Sequence, residues 1–351
     1  MHLIIGGGPA GNYLAYNLSR KGYDVKVIEE HKEIGKPVSC TGILTSQINK
    51  LLKIKKKFLI NKCKIFRIHI SKDNFIEIKL KNPNPIIDRT KFDQYLANMA
   101  LDQGTEYILG KKFKSINQNY ANISNKKIKY DYLIGADGPN SLVGRCAGMF
   151  KQKQLIIGAQ ARVKYENNPN IIETWLGKGE FSWIVPENET YARIGLVSTK
   201  NAGHILHHFL RLKKINKILE WQSGIIPIYD PNLQIQKNNI MLIGDAASQV
   251  KSTTYGGILF GMHAAKILAK DPKNYAKNFN KKFKKDLFLS KKMRDILNKF
   301  TIKDYTELIN MFQQQKTKKI LETHDRDYPS KFIFKLILKE PRLLKYIKKI
   351  Y

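Results

Sequence analysis

Short apolar runs alternate with a helical segment at the start of the chain. Residues 2–5 (His-Leu-Ile-Ile) and 25–28 (Val-Lys-Val-Ile) are largely apolar and have the length of one buried strand. Pro9 lies where the intervening helix would begin, and proline is tolerated in a first helical turn because its missing N–H has no partner there. This order predicts a β–α–β unit and therefore a parallel sheet covered by helices.

Two other periodicities follow. Apolar and polar residues alternate over 64–70 and over 75–80, with an Asp-Asn turn at 73–74, which predicts an antiparallel hairpin. Residues 90–103 have helical periodicity, and Gly104 is the stop signal. The predicted inner face of this helix consists of Leu96, Ala97 and Ala100.

The second half of the chain repeats these themes. An apolar strand over 132–135 ends in a glycine turn, and residues 155–200 are strand-rich in the manner of an antiparallel sheet. A buried strand over 240–243 opens onto a second glycine turn and a helix over about 257–269. Beyond residue 275 the chain is helical in pattern and very basic.

These elements predict an α/β protein with a discontinuous Rossmann-like nucleotide-binding domain, an inserted antiparallel-sheet substrate domain and a helical C-terminal region. The predicted boundaries are 1–52, 86–154 and 235–275 for the nucleotide-binding domain, 53–85 and 155–234 for the sheet domain, and 276–351 for the basic C-terminal region.

The first strand runs into Gly-x-Gly-x-x-Gly, a pattern in which each glycine has a physical role. Gly6 permits the tight turn, Gly8 lets the backbone approach a pyrophosphate, and Gly11 lets helix and strand pack closely. The helix N-terminus offers free N–H groups to the phosphates. Glu29 ends the second strand and is placed to accept both hydroxyls of an adenosine ribose. The motif therefore predicts a dinucleotide site.

Charge is the most unusual property of the composition. The chain has 62 basic and 29 acidic residues, a net charge of +33. Attraction to an anionic surface is one interpretation; compositional drift toward Lys, Asn and Ile is the other, because the lysines are scattered along the chain. No nucleic-acid module is present in the sequence, so we expect no nucleic-acid partner and favour an anionic membrane surface if the charge has a function.

Membrane spans and disulfides are not expected. No run approaches the roughly 18 apolar residues that a span needs, and a first strand at residue 2 leaves no room for a leader, so we expect a cytoplasmic protein. Cys40, Cys63 and Cys146 are far apart and lack C-x-x-C spacing, which argues against disulfides, iron–sulfur clusters and zinc. We expect no metal site, and we expect Cys63 and Cys146 to lie in the core.

Two later motifs indicate which dinucleotide is bound. The sequence at 137–141 (Asp-Gly-Pro-Asn-Ser) and Gly244-Asp245, with the opening motif, resembles the flavoprotein superfamily of aromatic hydroxylases and related reductases. The resemblance implies FAD, with Asp245 binding its ribityl and pyrophosphate portion and Arg89 facing its phosphates or ribityl chain. It also implies that the helix after the second glycine turn points its N-terminus at the flavin, where reduced flavin carries negative charge. Asp137 is interpreted as scaffold.

Further motifs narrow the resemblance. The segment 35–42 resembles the Pro-x-x-Cys loop of the archaeal geranylgeranyl reductases, and 181–186 with Gly195 is similar to their aromatic-x-Trp-x-Phe-Pro and glycine signature. The segments 247–258 and 324–329 also fit that family. The resemblance implies an enzyme that uses FAD to reduce isolated C=C bonds in geranylgeranyl chains of archaeal membrane phospholipids, saturating them toward phytanyl chains.

Site residues follow from this resemblance. The implied FAD contacts, besides Gly6, Gly8 and Gly11, are Ala10, Glu29, Cys40, Thr41, Gly42, Arg89, Phe113, Asp245, Gly257 and Ile258. The implied lipid contacts are Phe181, Trp183 and Pro186. Cys40 is the implied catalytic residue, a proton donor beside the reactive face of the flavin. The chain departs from the family pattern at Val185 in place of Phe, and at Leu196 and Tyr255 in place of glycines.

Alternatives and partners remain open at this stage. A flavin monooxygenase or halogenase acting on a small aromatic or lipid-like substrate has the same scaffold, and an electron-transfer role is a third hypothesis. A second Gly-x-Gly-x-x-Gly unit for NADPH is absent from the sequence, so the electron donor is expected to be transient, either NADPH or a ferredoxin-like protein. The basic, apolar tail over 331–351, kinked at Pro341, either docks at the inner face of the membrane or packs on its own domain.

We predict that the purified protein is yellow and holds one FAD per chain. Glu29→Ala should weaken FAD binding by about 1.5–3 kcal/mol, because it removes a charged hydrogen bond to the ribose. Titration of the apoprotein with FAD measures the loss. A colourless wild-type protein that cannot be reconstituted with FAD would contradict the flavin assignment.

Overall fold

The computed structural model describes residues 1–150, 152–177 and 179–350. Tyr351, the last residue of the predicted C-terminal region, lies outside them. The chain forms two compact units. The first contains Met1–Val38, Asp88–Leu155 and Ile226–Leu287, and the second contains Ser39–Ile87, Ile156–Ile225 and Phe288–Tyr351.

The strands and helices follow in chain order. The strands are β1 His2–Ile5, β2 Val25–Glu29, β3 Leu59–His69, β4 Phe75–Ile87, β5 Glu106–Leu109, β6 Phe113–Asn117, β7 Tyr120–Ile123, β8 Lys126–Lys129, β9 Tyr132–Gly135, β10 Leu155–Lys164, β11 Ile171–Leu176, β12 Phe181–Pro186, β13 Tyr191–Ser198, β14 Ile218–Pro227, β15 Gln236–Lys237 and β16 Ile240–Leu242. The helices are α1 Pro9–Ser19, α2 Arg89–Leu101, α3 Leu142–Cys146, α4 Ala202–Leu212, α5 Ile258–Lys270, α6 Tyr275–Leu297, α7 Ile302–Gln313, α8 Gln315–Thr323 and α9 Ile333–Lys339, and a 3₁₀ helix follows over Pro341–Ile350.

A parallel sheet forms the centre of the first unit. Its order is β15-β16-β9-β1-β2-β5, and β1 pairs in parallel with both β2 and β9. Every residue of β1 is buried, as expected for a strand covered on both faces. Among the described strand pairs of this sheet, only that of the two-residue β15 with β16 is antiparallel. The predicted Rossmann-like fold is confirmed.

Helix α1 packs against both α2 and α5 beside this sheet. The predicted helix over 90–103 is α2, and its inner residues Leu96, Ala97 and Ala100 are buried as expected. Gly244 and Gly261 permit the close approach of α1, because a Cβ on either would lie 3.1 Å from Cβ of Ala10.

The second unit contains a seven-stranded sheet in the order β14-β10-β13-β12-β11-β3-β4. Its pairs β10–β13, β12–β13, β11–β12 and β3–β4 are antiparallel, as predicted, but β11 pairs with β3 in parallel. The sheet is therefore mixed, because two strands distant in sequence meet side by side. The predicted hairpin is present but longer, since its strands begin at Leu59 and end at Ile87.

Side chains alternate across this sheet and form two cores. One face carries Ala161, Ile184 and Ile194 and packs against Leu206 and Phe209 of α4. The other face carries a smaller cluster formed by Cys63, Ile86, Ile172 and Val185, with Ile43, Phe66 and Trp183 at its margin. The expectation that Cys63 is a core residue is confirmed, whereas Cys146 is exposed and that expectation is wrong. Cys146 ends the five-residue α3, where only Val143 and Gly144 are buried.

The unit boundaries differ from the predicted domains in several segments. Residues 226–234 and 276–287 belong with the first unit. Residues 39–52 belong with the second unit, because Ile43 forms a bridge with Ile86 and Leu44 donates its N–H to the Pro85 carbonyl. Residues 288–351 do so as well. The C-terminal helices are not a separate region, since Ile309 of α7 packs on Ile76 and Ile78 of β4. None of the helices in the described residues has both the length and the apolar character of a membrane span.

A buried hydrogen-bond chain links α6 to the second glycine turn in the first unit. Gln249 Oε1 accepts the Gly244 N–H at 2.7 Å, and Gln249 Nε2 donates to the Tyr275 hydroxyl at 2.7 Å. That hydroxyl donates to the Leu242 carbonyl at 2.7 Å. Tyr275 is fully buried, and burial raises the pKa of its hydroxyl well above the usual range. The chain thus fixes the residues on both sides of the turn.

Tyr275→Phe should lower the free energy of unfolding by about 1–3 kcal/mol, because it leaves a buried amide donor and a carbonyl without their partner. Chemical denaturation measures the change. Tyr23→Phe, at a half-exposed ring, is the control and should stay within about 0.5 kcal/mol of wild type. Equal stabilities for the two variants would show that the chain does not stabilise the turn.

Candidate functional site

The first glycine turn is crowded by backbone on two sides and open on the third. A Cβ on Gly6, which has φ +109°, would lie 2.3 Å from the Ala136 carbonyl oxygen. A Cβ on Gly11 would lie 2.1 Å from the Gly6 carbonyl oxygen. At Gly8 a Cβ would meet no atom within 4 Å, so its backbone is open to a ligand. The crowding at Gly6 and Gly11 is what the tight turn and the close helix packing require, and the approach of a pyrophosphate to Gly8 remains a prediction.

Glu29 ends β2 directly beside this turn. Its Oε2 accepts the Gly7 N–H at 2.7 Å, and its Oε1 accepts the His31 backbone N–H at 3.0 Å and lies 2.6 Å from His31 Nδ1. The Glu29 carboxylate thus holds the glycine turn in place. The role predicted for it was a different one, to accept hydrogen bonds from a ribose. Its contact with a ribose remains a prediction.

A buried amide connects the turn to α2. Asn12, fully buried in α1, donates through Nδ2 to the Gly7 carbonyl at 2.7 Å and to the Asp93 carbonyl at 3.1 Å. Its Oδ1 accepts from the Tyr107 hydroxyl at 2.9 Å. All three polar groups of this side chain are therefore satisfied inside the unit, and three elements are fixed around the turn.

Arg89, predicted to face a phosphate or ribityl chain, begins α2 and forms a two-pronged ion pair with Asp93. The distances are 3.2 Å from Nε to Oδ1 and 2.8 Å from Nη2 to Oδ2. Both side chains are largely buried. The pair holds the guanidinium in one orientation, which favours recognition of a planar or anionic group.

The predicted acids of the later motifs lie at the ends of β9 and β16. Asp137 Oδ2 accepts the Val143 N–H of α3 at 3.0 Å, which fits its interpretation as scaffold. Asp245 lies next to Gly257, the N-cap of α5, because a Cβ there would lie 2.8 Å from Asp245 Oδ1. Burial raises the pKa of both carboxyls. Ile258 begins α5, so the predicted residues after the turn surround one helix N-terminus.

Lys153 joins these two loops. Its Nζ donates to the carbonyls of Pro139 at 3.2 Å, Asp245 at 3.2 Å and Ala246 at 2.5 Å, and it lies 4.5 Å from the centre of the Phe150 ring. Burial lowers the pKa of this ammonium to about 8. The positive charge holds together the backbone that follows both late strands.

Two other predicted positions have clear local geometry. Tyr255 has φ +51° and is buried, so it occupies the left-handed backbone conformation that favours the glycine of the family pattern. Phe113 begins β6, is buried and pairs with Ile123 of β7. Its backbone contact with adenine remains a prediction.

In the second unit, the loop containing Cys40 is fastened to the sheet. Cys40 is a free, half-buried thiol whose Sγ accepts the Gly42 N–H at 3.3 Å. Thr41 Oγ1 donates to Gln160 Oε1 of β10 at 2.9 Å. Ser39 packs on Gly224 of β14, where a Cβ would lie 2.9 Å from that of Ser39.

Arg193 of β13 is the strongest connection to this loop. Its Nη1 donates to the carbonyls of Thr41 at 2.7 Å and Ile87 at 3.2 Å. Its Nε pairs with the buried Glu187 at 2.8 Å, whose other oxygen accepts from Arg162 Nε at 2.8 Å. Because Arg193 contacts backbone carbonyls, it fixes the path of the loop whatever side chains the loop carries.

Phe181 and Trp183 lie on the sheet face that the loop covers. Trp183 pairs with Gly195 and Gly195 with Gln160 in one row across the strands. A Cβ on Gly195 would lie 2.6 Å from Trp183 Cζ2, so this glycine makes room for the indole. Within the described residues the buried Trp183 Nε1 has no hydrogen-bond partner.

Strand alternation separates the third predicted lipid contact from the other two. Phe181 and Trp183, with ring centres 5.9 Å apart, lie on one face of the sheet. Pro186 is two residues after Ile184 in the same strand and so lies on the opposite face, which packs against α4. The predicted residues therefore form two groups. The glycine turn, Glu29, Arg89, Asp245 and the start of α5 belong to the first unit, and Cys40, Thr41, Gly42, Phe181 and Trp183 to the second.

Sequence reasoning missed several residues that hold these groups in place. They are Asn12, Asp93, Lys153, Gln160, Arg193, Gln249 and Tyr275. Asn12 gives a weak signal, a polar residue on the inner side of a helix directly after the last glycine. Lys153 and Arg193 give none, because many exposed lysines and arginines occur in similar sequence contexts. Among the described residues no group of three or more His, Cys, Asp or Glu is arranged to hold a metal ion.

Comparisons with known proteins identify a matching family model and related chains. Residues 4–40 match the family described as an NAD(P)-binding Rossmann-like domain. A digeranylgeranylglycerophospholipid reductase from Methanosarcina acetivorans is 29% identical over 308 aligned positions, covering 76% of this chain and 73% of the relative.

Two solved structures share the fold over nearly the whole chain. A geranylgeranyl bacteriochlorophyll reductase-like protein from Thermoplasma acidophilum has a TM-score of 0.85 at 23% identity, covering 100% of this chain and 98% of that one. A flavin-dependent brominase has a TM-score of 0.73 at 17% identity, with 99% of both chains covered.

The Rossmann-like domain and the relatives named as reductases identify an FAD-dependent oxidoreductase. Within that class, the resemblance to the geranylgeranyl reductases that the sequence motifs indicate is confirmed.

Arg193→Met should loosen the Cys40 loop without unfolding the sheet. Losing the charged hydrogen bonds to Thr41 and Ile87 should speed alkylation of Cys40 about tenfold or more, as local opening becomes easier. Arg162→Met is the matched control, because it also removes a partner of Glu187 but does not contact the loop. Thiol alkylation followed by peptide mass spectrometry measures the rates, and equal rates in both variants would contradict the role of Arg193.

Proposed function

We propose that this protein uses FAD to reduce isolated C=C bonds in the geranylgeranyl chains of archaeal membrane phospholipids. The observation that carries the proposal is a thiol-containing loop fastened over the same sheet face that carries Phe181 and Trp183. Relatives named digeranylgeranylglycerophospholipid reductase support the substrate class.

The first unit fits FAD. The backbone at Gly8 is open, and the first turn of α1 has no acidic residue to repel a phosphate. The turn at Gly6–Gly11 would hold the pyrophosphate, Glu29 the adenosine ribose, and Asp245 with the start of α5 the ribityl chain and flavin edge. Arg89, oriented by Asp93, would add a positive charge beside these anionic groups.

Reduction of an isolated alkene needs a hydride on one carbon and a proton on the other. Bound FAD, once reduced, supplies the hydride. The Cys40 thiol holds the proton at Sγ, and the Gly42 N–H directed at this sulfur stabilises the thiolate that remains after transfer. Solvent returns a proton to the sulfur before the next turnover, so the residue is regenerated.

An isolated alkene has no carbonyl group through which polar residues could activate it. The protein must therefore contribute orientation and a dry surface. Phe181 is buried, Trp183 is half-buried, and Ile43 packs on the same apolar cluster as Trp183. This part of the sheet face therefore has the apolar character that an isoprenoid chain requires.

Electrons and substrate must both be delivered. We propose a transient donor, NADPH or an acidic ferredoxin-like protein, for which a net charge of +33 provides electrostatic attraction. We propose that the protein is cytoplasmic and acts on its lipid substrate as a peripheral protein at the inner face of the cell membrane. A halogenase on the same scaffold has fold similarity alone in its favour, and an oxygen-dependent product from a small aromatic would identify it.

Cys40→Ala should keep FAD binding but lose most alkene reduction, about 100-fold to 10,000-fold in rate, because a positioned proton donor is missing. The measurement is anaerobic stopped-flow reoxidation of the reduced enzyme by an unsaturated geranylgeranyl phospholipid. Mass spectrometry of the lipid confirms saturation.

Cys63→Ala and Cys146→Ala are the controls for this experiment. Burial raises the pKa of the Cys63 thiol to about 12, and Cys146 lies in the first unit, on the short helix α3. Both should turn over lipid at wild-type rates. Wild-type reoxidation by Cys40→Ala would remove the thiol from the mechanism, and parallel losses of FAD affinity and turnover would make it a structural residue of the pocket.

A further inference from the structure

Only some of the apolar side chains in the C-terminal segment of the second unit are buried. Phe332, Leu336 and Tyr346 are buried. The Tyr346 hydroxyl donates to the Asp304 carbonyl at 3.2 Å, and its ring lies 4.5 Å from that of Phe300. The tail therefore packs on its own unit, one of the two expectations for it. Removing the whole tail would remove these contacts as well.

The opposite side of α9 is apolar and exposed. Phe332 and Leu336 face inward, and Phe334 and Leu338, two residues further along in each case, face outward. Phe334 is 68% exposed and Leu338 63%. With Ile302 at 75%, they are the three most exposed large apolar side chains among the described residues. Within the described residues, most of the surface of Phe334 and of Leu338 is open to solvent and is not used in packing.

Positive charge accompanies these apolar residues. Lys335 and Lys339 follow Phe334 and Leu338 directly in the sequence and are exposed on α9. The nearby acids are paired within the tail and α7: the carboxylate of Glu340 is buried against Arg342, Lys345 pairs with Glu307, and Lys349 pairs with Asp304. The outer side of α9 thus combines two apolar side chains with two cations.

We propose that the outer face of α9, formed by Phe334, Lys335, Leu338 and Lys339, docks on an anionic lipid bilayer. The apolar pair enters the interfacial region while the lysines contact lipid phosphates. A symmetric dimer through this face is disfavoured, because a two-fold interface would bring Lys335 and Lys339 of one copy against the same two lysines of the other. The proposal is independent of the proposed reaction, since docking needs neither FAD nor turnover.

The test is co-sedimentation of the full-length protein with vesicles of phosphatidylglycerol and of phosphatidylcholine. Wild type should bind the anionic vesicles and lose affinity as salt rises. The Phe334→Ser/Leu338→Ser variant should lose at least about tenfold in affinity for the anionic vesicles. The Lys335→Gln/Lys339→Gln variant should lose about fivefold for each lysine replaced. Leu212→Ser/Leu219→Ser is the matched control, because these two side chains are also exposed but lie on α4 and β14.

Circular dichroism and thermal melts show whether each variant is folded, which is expected because all substituted side chains are exposed. Equal binding by wild type and Phe334→Ser/Leu338→Ser would overturn the proposal, as would a similar loss in the control. Absence of wild-type binding to anionic vesicles would also overturn it. Light scattering that finds a dimer abolished by the Phe334→Ser/Leu338→Ser change would assign the face to a second copy of the chain.

Discussion

Direct contact between backbone atoms at the end of β1 determines the geometry of the first unit. With no side chain at Gly6, the turn rests against the Ala136 carbonyl at the end of β9, and with none at Gly11 the helix starts against the Gly6 carbonyl. The start of α1 is therefore placed within ångströms by steric exclusion. Asn12 directly follows Gly11, so its position is fixed as well, and its side-chain amide can donate to both the turn and α2. The direction in which α1 leaves the sheet and the open backbone at Gly8 follow from this crowding.

In the second unit, a buried charge cluster holds the Cys40 loop on a sheet that is itself packed on apolar cores. Glu187 is buried at the end of β12 and shared by two arginines, and the inner one, Arg193, extends to carbonyls of two separate segments. Removing either arginine leaves the carboxylate with one partner, so the buried acid stays compensated. This arrangement lets a loop without regular structure lie on a sheet at a defined height.

Local patterns predicted the elements whose physics is local. The glycine spacing, the apolar strand at 2–5 and the periodicity of α2 depend on neighbouring residues and were read correctly. The parallel pairing of β3 with β11 joins segments about a hundred residues apart, and no periodicity encodes which strands meet. The exposure of Cys146 has the same origin, because a five-residue helix carries too little pattern to show which side is inward.

The site residues divide along the same line. The glycines and Glu29 belong to recognisable motifs. Lys153 and Arg193 instead donate to carbonyls 92 and 152 positions away in the chain. Their sequence surroundings do not distinguish them from the other lysines and arginines. Pro186 shows a further limit: a motif gives residues in a row, but a strand sends alternate ones to opposite faces. The side chains that a motif groups together are then separated by the sheet.

The loop over the sheet has one more property that follows from how it is held. Its path is set by the Thr41 carbonyl, which accepts from Arg193, by the Gly42 carbonyl, which accepts the Ile87 N–H, and by the bridge at Ile43. None of these three contacts involves the Cys40 side chain. Shape and reactivity are thus encoded by different positions. Such a separation makes residue 40 an evolvable point, where a hydroxyl, carboxyl or selenol could replace the sulfur and present new chemistry on an unchanged frame.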